Sequence, residues 1–573
     1  MHGRSVLRGA LAWVLVAVAL RAVVLLPEQC PPVTAEALQR SAAEAVAWFE
    51  RNQRPDGRWL YRYDAERGRD LGGYNLTRHA GVTMSLYQAA AAGHEGALDV
   101  ADAGASWALD HLLPLEGGLA FGQADRDVPV GATGLLVAGL AERRALTGDR
   151  SHDAELRAMG RFLAAMVEPS GAVVAYWDAD AGRPATAVPS PFFTGEVHWA
   201  LALLHRELPG EGWDEPAARV GRYLAVERDR AERWFPDIAD HWAAYGLAVQ
   251  AAWPGGTVDG ETVAYARRQG GLAGFQVRWE SQRTGSTPNE LVRGGPTLGA
   301  GLGTLGEQLA GLWALADRTP RLADLRAPLA ERAACVAGML AQRQISPEAA
   351  ADLPEPDRAR GAWLQRGITQ MDDQQHALSA VLLATPIVAA QPVQVDEPWG
   401  AGLPAALLLA ALVLALDPLR GACAAAAATR RAQAAGAAAV VAVAVGAAAV
   451  SGPLLDWLSV SRPTLRLGAG LVLLATALVD LARPTLPTGR DGALVAAALR
   501  PVAPVAALSV GADLGVLAVA VATLATLAAA LGLAATPLAA RDGGTAARWA
   551  VRAMAAVAVV VAVAVAVDGV YDV

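Results

Sequence analysis

The sequence predicts an all-α protein made of an (α/α)6 toroid of about twelve helices, an N-terminal membrane anchor and a C-terminal membrane domain of about six spans. Three observations predict this fold class. From about residue 34 to 390, apolar residues recur every three or four positions, which is helical spacing. Within that region, amphipathic helices alternate with helices that are apolar on all sides. After Gln391 the composition changes abruptly to long apolar segments.

Residues 1–30 are expected to be a signal peptide or an uncleaved signal anchor. Arg4 and Arg8 precede an apolar stretch over 9–26 that only Arg21 interrupts, which is the order of a basic region and a hydrophobic segment. No cleavage site between small residues stands out, and this favours the anchor. In either case the next domain is expected on the extracytoplasmic side.

Residues 31–392 are predicted to form the toroid. The odd helices are amphipathic, as in 35–49, and the even helices are apolar nearly all round after their first turn, as in 134–140. A helix that is apolar all round is buried, so we expect an outer and an inner ring joined as six hairpins. The twelve helices are predicted near 34–53, 75–92, 96–113, 128–146, 150–167, 194–208, 213–227, 237–253, 257–273, 297–316, 321–344 and 371–388.

The connections between helices indicate where a functional site lies. Links from an inner to an outer helix are short, as at 147–149. Links from an outer to an inner helix are mostly longer and contain Gly, Trp and Tyr, as at 55–64, 173–178 and 270–279. Several alternate like short strands and are expected to pair as hairpins. Loops on a rigid scaffold often carry function, so we expect the site where the inner helices begin.

Residues 393–573 are predicted to be a membrane domain, because most of the apolar segments reach the roughly 20 residues that span a bilayer. Arginines concentrate in the first, third and fifth loops, whereas the second holds only Arg462 and Arg466 and the fourth none. The positive-inside rule then places the odd loops in the cytoplasm, which agrees with an exported toroid and predicts a multi-pass protein of the cytoplasmic membrane. The six segments lie near 402–416, 434–451, 466–482, 492–511, 513–533 and 549–567.

Composition excludes some classes of function. The net charge of −8 argues against a nucleic-acid partner. Cys30, Cys335 and Cys423 lack metal-ligand spacing; Cys30 and Cys335 either pair or stay free. No HExxH motif, phosphate-binding glycine loop or serine-nucleophile motif occurs, so we expect no metal and no cofactor.

Polar residues open the inner helices, and we expect them to converge on one pocket. In the stretch 367–379, Asp372 and His376 are one helical turn apart and share a face with Asp373. Asp237, Asp240 and His241 share a face at the start of another inner helix, whereas Glu307 lies deeper in its helix and is a weaker candidate. The candidate acid/base residues are Glu196, Asp240, Asp372, Asp373 and His376. The candidate substrate-binding residues are Trp59, Tyr61, Asn75, Arg78, His79, Trp177, His198, His241, Trp242 and Gln375.

Helix capping is the structural alternative for most of these residues. Asn, Asp and Thr cap helix N-termini, and acidic residues complement the dipole there. Capping does not explain His79, His241, His376 and Arg78, because the dipole disfavours cations at that end. Buried neutral histidines bonded to carboxylates would explain the imidazoles without catalysis. Arg78 in a site would suit a carboxylate or a phosphate, which its guanidinium binds through two hydrogen bonds.

Four motifs carry a resemblance to a known architecture: Tyr74-Asn-Leu-Thr-Arg-His-Ala-Gly81, Thr194-Gly-Glu196, Asp240-His-Trp242 and Asp373-Gln-Gln-His-Ala-Leu-Ser379. They resemble the inner-helix motifs of bacterial six-hairpin α/α-toroid proteins, which include glycosidases, unsaturated-uronyl hydrolases, polysaccharide lyases and sugar epimerases. The resemblance implies a toroid over 34–390 and a glycan-acting site. The segment 53–59 also resembles the repeat of triterpene cyclases, but Gln370-Met-Asp-Asp373 departs from their DxDD motif.

The leading hypothesis is a membrane-anchored, extracytoplasmic carbohydrate-active enzyme that acts on an envelope or extracellular glycan. A pair of carboxylates would do the acid/base work, as in glycoside cleavage, and loop aromatics, including Trp279 and Trp363, would stack on sugar rings. One alternative is a non-catalytic glycan- or protein-binding protein of envelope assembly. The other is a terpene-cyclase-like enzyme or one with a lipid-linked substrate. The expected partners are a glycan or lipid-linked glycan, the membrane and envelope proteins.

Overall fold

A computed structural model describes two compact units, Cys30–Gln394 with Val573, and Met1–Gln29 with Val395–Asp572. The described residues are Leu11, Val14, Leu15, 17–185, 189–233, 240–297, 300–390, 403–416, 429–482, 500, 502–534 and 545–573.

The first unit is an all-α toroid, as predicted. Its twelve long helices begin and end within a few residues of the predicted positions, with the exception of α9. They are α1 Ala35–Asn52, α2 Leu76–Ala91, α3 Ala97–Leu109, α4 Val130–Thr147, α5 Asp153–Ala165, α6 Phe193–Glu207, α7 Asp214–Val226, α8 His241–Ala251, α9 Gly260–Ser281, α10 Ala300–Arg318, α11 Arg326–Arg343 and α12 Met371–Ala389. Short helices at Arg228–Ala231, Thr287–Arg293, Pro320–Leu325, Pro347–Ala351 and Pro356–Ala359 lie between them.

The even helices form a closed inner ring. Each packs against the next even helix, and α12 packs against α2 to complete the circle. The odd helices pack on the outside, for example α3 on α2 and α7 on α6. Burial follows the pattern of the sequence: α4 is buried continuously over Val130–Ala141, whereas α1 buries one face only. Burying a leucine or valine side chain contributes about 1.5–3 kcal/mol, so the inner helices contribute strongly to the stability of the ring.

Three small sheets cover part of the end where the inner helices begin. The strands β1 and β8 pair antiparallel, with Tyr63 opposite Thr369, and β8 runs directly into α12. The sheet therefore fixes where α12 starts. The strands are β1 Arg62–Asp64, β2 Arg69–Asp70, β3 Leu112–Leu115, β4 Gly118–Phe121, β5 Val128–Pro129, β6 Tyr176–Asp178, β7 Arg183–Pro184 and β8 Ile368–Gln370, in the orders β2-β1-β8, β3-β4 and β5-β6-β7.

The prediction of a loop at 270–279 was wrong. The helix α9 continues to Ser281, and Leu272, Ala273 and Val277 are buried along it. Glycines at 270, 271 and 274 lower helix propensity, but burial of the apolar side chains outweighs that preference. Trp279 therefore lies on a helix, where the Arg293 guanidinium sits 3.7 Å from the centroid of its ring.

The structure joins Cys30 to Cys335 of α11 by a disulfide, one of the two alternatives that the sequence left open. The bond closes a loop between residues 305 positions apart and ties the start of the toroid unit to its outer ring.

The second unit is helical and apolar. Four of its described helices, α14 to α17, are long and apolar enough to cross a membrane, whereas α13 has only 14 residues. The predicted spans 492–511 and 513–533 fall, where described, in α16, in which two helices meet at a kink at Gly515 (φ 81°, ψ 169°). The helices are α13 Leu403–Leu416, α14 Arg430–Ala449, α15 Arg462–Ala482, α16 Val502–Ala534 and α17 Thr545–Tyr571, with a short helix at Ser451–Leu458.

Buried ion pairs connect helices within this unit. The fully buried Arg466 of α15 contacts Asp513 of α16 at 3.1 Å, Asp568 of α17 at 2.5 Å and Asp572 at 3.0 Å. Arg500 pairs with Asp480 at 3.0 Å. Breaking a buried pair from one side leaves an uncompensated charge and costs about 3–5 kcal/mol, so these contacts hold the helices in register.

Candidate functional site

The ends of the inner helices bring two histidines and a glutamate together inside the ring. His241 is the first residue of α8, Glu307 lies about two turns into α10, and His376 lies in the second turn of α12. The closed ring fixes the spacing of these three helices, so the side chains meet although they are far apart in the sequence.

His376 and Glu307 form a short, buried hydrogen bond. The distance from Nδ1 of His376 to Oε2 of Glu307 is 2.5 Å, and Glu307 is fully buried. The other oxygen, Oε1, accepts from the Tyr245 hydroxyl at 3.0 Å and from Nε2 of Gln375 at 3.5 Å. Burial works against a charged imidazole, but the Glu307 carboxylate outweighs it and raises the pKa of His376. The hydrogen bond to Glu307 therefore favours the protonated form of His376, although burial also raises the pKa of Glu307.

His241 lies beside this pair, and its surroundings shift its pKa in the opposite direction. Its Nε2 lies 3.8 Å from Oε2 of Glu307 without a hydrogen-bond partner among the described residues, and its ring is 5.0 Å from that of His376 at 86°. Burial, together with the positive charge of His376, lowers the pKa of His241 well below its usual value. The surroundings thus shift the pKa values of the two imidazoles in opposite directions.

A line of polar side chains runs from this pair towards solvent. Asp372 lies 3.7 Å from Nε2 of His376, and Nε of Arg78 pairs with Asp372 at 3.1 Å. Arg78 also donates to the Tyr61 hydroxyl at 2.7 Å. Arg78 and Asp372 are partly exposed, with 31% and 21% of their side chains accessible. This line marks the open side of the site.

Glu196 is a buried acid at the start of α6. It is 3% exposed, and its Oε2 has no hydrogen-bond partner in the described part of the chain. The carboxyl group lies over the backbone of Gly131 on α4, where an added Cβ would come within 1.8 Å of Oε2. Burial is the main cause that raises the pKa of Glu196 well above its usual value, and the charges of Asp240 and Asp372 add to it. Burial therefore favours the neutral acid form of Glu196.

Asp240 holds the start of α8. Its Oδ1 accepts from the backbone N–H groups of Trp242 and Ala243 at 3.0 and 3.2 Å, and its Oδ2 pairs with the fully buried Arg228 at 2.5 Å. Both carboxylate oxygens of Asp240 are therefore occupied by the protein. The sequence suggested Asp240 as an acid/base candidate, but its contacts fit a residue that caps and positions α8.

His79 lies in the core, away from the polar line. Its Nδ1 bonds to the Tyr74 hydroxyl at 2.7 Å, its Nε2 to the Gly104 carbonyl at 2.9 Å, and the ring packs between Trp59 and Trp107. Burial lowers the pKa of His79 to about 3. With both nitrogens occupied by the protein, His79 corresponds to the buried neutral histidine of the structural alternative, and this corrects the expectation of substrate binding.

The expected aromatic stacking surfaces are mostly buried. Trp59 and Trp363 are fully buried and Trp177 is 5% exposed, so their rings fill the core instead of facing a ligand. Tyr61 stays half-buried beside Arg78, and Trp279 is half-buried on α9 beneath Arg293. His198 is also buried and bonds through Nε2 to Gln250 at 3.1 Å.

The remaining candidates have clear local roles. Asn75 caps α2 by accepting from the backbone N–H of Arg78 at 3.0 Å. Trp242 stacks on Trp199 and lies 5.8 Å from the ring of His376. Asp373, at 9% exposure, contributes to the raised pKa of His376. Asp237 lies outside the described residues.

Glu307 and Tyr245 are central to the geometry, yet sequence reasoning gave Glu307 little weight and missed Tyr245. One signal was available: Glu307 is a lone acid in the apolar stretch Leu302–Leu315 of an inner helix. A buried carboxylate there requires a partner, but the sequence alone does not say which residue supplies it.

The same three side chains also have the composition of a metal site. In the described part of the chain, ligand atoms of His241, Glu307 and His376 lie within 4.8 Å of one another. Two ligands at about 2.1 Å from a tetrahedral ion are roughly 3.4 Å apart, whereas Glu307 and His376 approach to 2.5 Å. That distance fits a shared proton better than a shared ion.

No protein-family model matches this chain, and no curated protein matches it. Among solved structures, it is similar to an α-1,6-mannanase of a Salegentibacter species (12% identity, TM-score 0.42, covering 62% of this chain and 98% of that one). It is also similar to a cellobiose 2-epimerase from Spirochaeta thermophila (14%, 0.45, 62% and 98%) and to a family 76 mannosidase from Bacteroides thetaiotaomicron (11%, 0.40, 61% and 99%). At these identities the likeness is one of fold alone.

Proposed function

We propose that the toroid is a carbohydrate-active enzyme in which His241 and His376 carry out proton transfer. The observation that carries this proposal is the pair of buried imidazoles, 5.0 Å apart, beside one buried carboxylate that hydrogen-bonds to His376 and lies 3.8 Å from His241. Two neighbouring titratable groups whose surroundings push their pKa values apart are the usual arrangement of a general base and a general acid.

The roles of the residues follow from their surroundings. Neutral His241 takes a proton from the substrate or from an attacking water. The imidazolium of His376 gives a proton to a substrate oxygen, so that the number of protons in the site is unchanged over the reaction. Glu307 keeps His376 charged, and Tyr245 and Gln375 keep Glu307 in place. We assign proton transfer to imidazoles instead of a carboxylate pair because Asp240 and Asp372 are both engaged with arginines.

A sugar substrate is supported by two features. The inner-helix motifs resemble those of glycan-acting toroids. The open side of the site also presents the Tyr61 hydroxyl, the Arg78 guanidinium and the Asp372 carboxylate, a mixture of donors and acceptors that suits sugar hydroxyls. Because one fold hosts many reactions, hydrolysis, elimination and epimerisation are all open to this acid/base pair.

We infer that the enzyme is anchored in the cytoplasmic membrane with the toroid outside. Four helices have the length and apolar character to cross a bilayer. The disulfide between Cys30 and Cys335 suits an oxidising compartment, and the arginine distribution supports the same location for the toroid.

The test is a turnover screen with His241→Asn and His376→Asn. The purified full chain is incubated with a panel of oligosaccharides in D2O, and NMR follows new reducing ends, new double bonds and solvent deuterium on sugar carbons. We expect each substitution to lower turnover roughly 10²–10⁴-fold, the usual contribution of acid–base catalysis. His94→Asn, in the turn between α2 and α3, is the matched control. Full activity in both test variants would refute the assignment.

A further inference from the structure

Two buried polar atoms in the first turns of α6 and α8 have no hydrogen-bond partner among the described residues. They are Oε2 of Glu196 and Nε2 of His241, and each residue is 3% exposed. Leaving a buried polar group unpaired costs about 1–3 kcal/mol. Unpaired atoms at this end of the ring therefore mark positions that a ligand would satisfy.

Glu196 faces the inside of the ring. Its carboxyl group lies over Gly131 of α4, and the charge of Asp372, on α12, contributes to its raised pKa. The starts of α6 and α8 also touch, because a Cβ on Gly195 would lie 2.7 Å from both carboxylate oxygens of Asp240. Glu196 directly follows Gly195 in the sequence, and His241 directly follows Asp240. Both residues therefore lie at the same end of the inner ring.

The charges around them disfavour an anionic ligand. Arg228 is bound to Asp240, Arg78 is bound to Asp372 and Tyr61, and His376 is bound to Glu307. Each of these cations already has a carboxylate partner, and Asp373 adds a further acidic side chain near His376. A uronate or phosphate would compete with these carboxylates for the cations, whereas an uncharged ligand would not.

We propose that Glu196 and His241 bind hydroxyl groups of an uncharged sugar, with Glu196 donating a hydrogen bond and His241 accepting one. The inference rests on the proposed function and adds the charge class of the substrate and the role of Glu196. A sugar hydroxyl is both donor and acceptor, so adjacent hydroxyls on one ring satisfy an acid O–H and an imidazole nitrogen together. Glu196 acts here as a neutral carboxylic acid, which its burial over Gly131 enforces.

Substitutions at Glu196 test whether its side chain binds the sugar as a neutral hydrogen-bond donor or as a charged carboxylate. Glu196→Gln keeps a donor of similar shape, so we expect sugar affinity within about threefold of wild type. Glu196→Ala removes the donor, and we expect about a tenfold loss, the effect of roughly 1.4 kcal/mol. Gly131→Ala would place a methyl group 1.8 Å from Oε2 and 2.5 Å from the ring of Phe193, so we expect it to weaken binding at least as much, in protein that circular dichroism shows to be folded.

The probes are two sets of oligosaccharides matched in length. One set contains neutral gluco- and manno-oligosaccharides, and the other contains oligouronates. Each is titrated into the full chain in detergent, and binding is measured by calorimetry. We expect at least one neutral set to bind and the oligouronates to bind at least tenfold more weakly. Tighter binding of the uronates, wild-type affinity in Glu196→Ala, or no binding by either set would each overturn the proposal. If these binding results hold but His241→Asn and His376→Asn retain turnover, the site is correct and the proposed function is wrong.

Discussion

At the scale of single residues, partners determine what each histidine of the toroid does. His79 uses both ring nitrogens on Tyr74 and Gly104, whereas His376 places one on Glu307 and keeps its charge. Both histidines lie near the starts of predicted inner helices, so the sequence alone could not distinguish their roles. The difference arises from contacts across the fold, since Glu307 and His376 are 69 residues apart.

The buried neutral state of His79 predicts acid sensitivity. Its pKa is lowered to about 3 from the usual 6.5, so the unfolded chain binds the proton more readily and stability is lost as pH falls below about 6.5. Each such group contributes a slope of up to about 1.4 kcal/mol per pH unit. Thermal melts of the full chain at pH 7, 6 and 5 should show a falling melting temperature. His79→Gln should melt lower at pH 7 but with a shallower decline, and an unchanged slope would count against this account.

At the scale of elements, the start of α8 is set by a buried ion pair. Asp240 caps the helix and neutralises Arg228, and the next residue is His241. The N-cap was foreseeable from the sequence because aspartate is a preferred cap. Arg228 was not foreseeable as its partner, since the short helix that carries it lies outside the twelve-helix pattern.

Removing this carboxylate should destabilise the toroid. Asp240→Ala loses the cap and leaves Arg228 buried without its carboxylate partner, which we expect to cost about 3–5 kcal/mol. Asp240→Asn keeps a cap but not the charge, so it should be intermediate. Asp153→Asn, whose carboxylate pairs with Arg144 away from α8, serves as the control. The measurement is denaturant unfolding followed by tryptophan fluorescence, and equal stability of both Asp240 variants to wild type would contradict the assignment.

The helix pattern itself was predictable because periodicity directly reflects burial. The alternation of apolar and amphipathic segments anticipated the closed inner ring and nearly all the helix boundaries. The prediction failed at 270–279, where glycines suggested a loop. The chain is helical there because Leu272 and Val277 are buried along the helix. The pattern also failed to show that Trp59 and Trp363 fill the core, because a tryptophan in a loop has the same local sequence whether it faces solvent or packs inward.

At the scale of the whole molecule, the Cys30–Cys335 disulfide fixes the beginning of the toroid unit. Cross-linking residues this far apart is expected to stabilise the folded state by about 2–5 kcal/mol. We expect Cys335→Ser to lower the melting temperature of the toroid transition by several degrees, and reductant to do the same to wild type but not to the variant. Free thiols at both positions in the non-reduced protein, detected by alkylation and mass spectrometry, would show that the bond does not form.

The central claim is that His241 and His376 have opposite protonation states, and their ionisation can be measured without a known substrate. The experiment is a pH titration of 15N-histidine NMR signals in the full chain, with the two resonances assigned from His241→Asn and His376→Asn. We expect His376 to lose its proton above the usual imidazole pKa of about 6.5 and His241 to take up a proton only at a pH below it. Glu307→Gln should lower the pKa of His376, because it removes the carboxylate that stabilises the imidazolium. Both imidazoles titrating together near pH 6.5, unaffected by Glu307→Gln, would contradict the account.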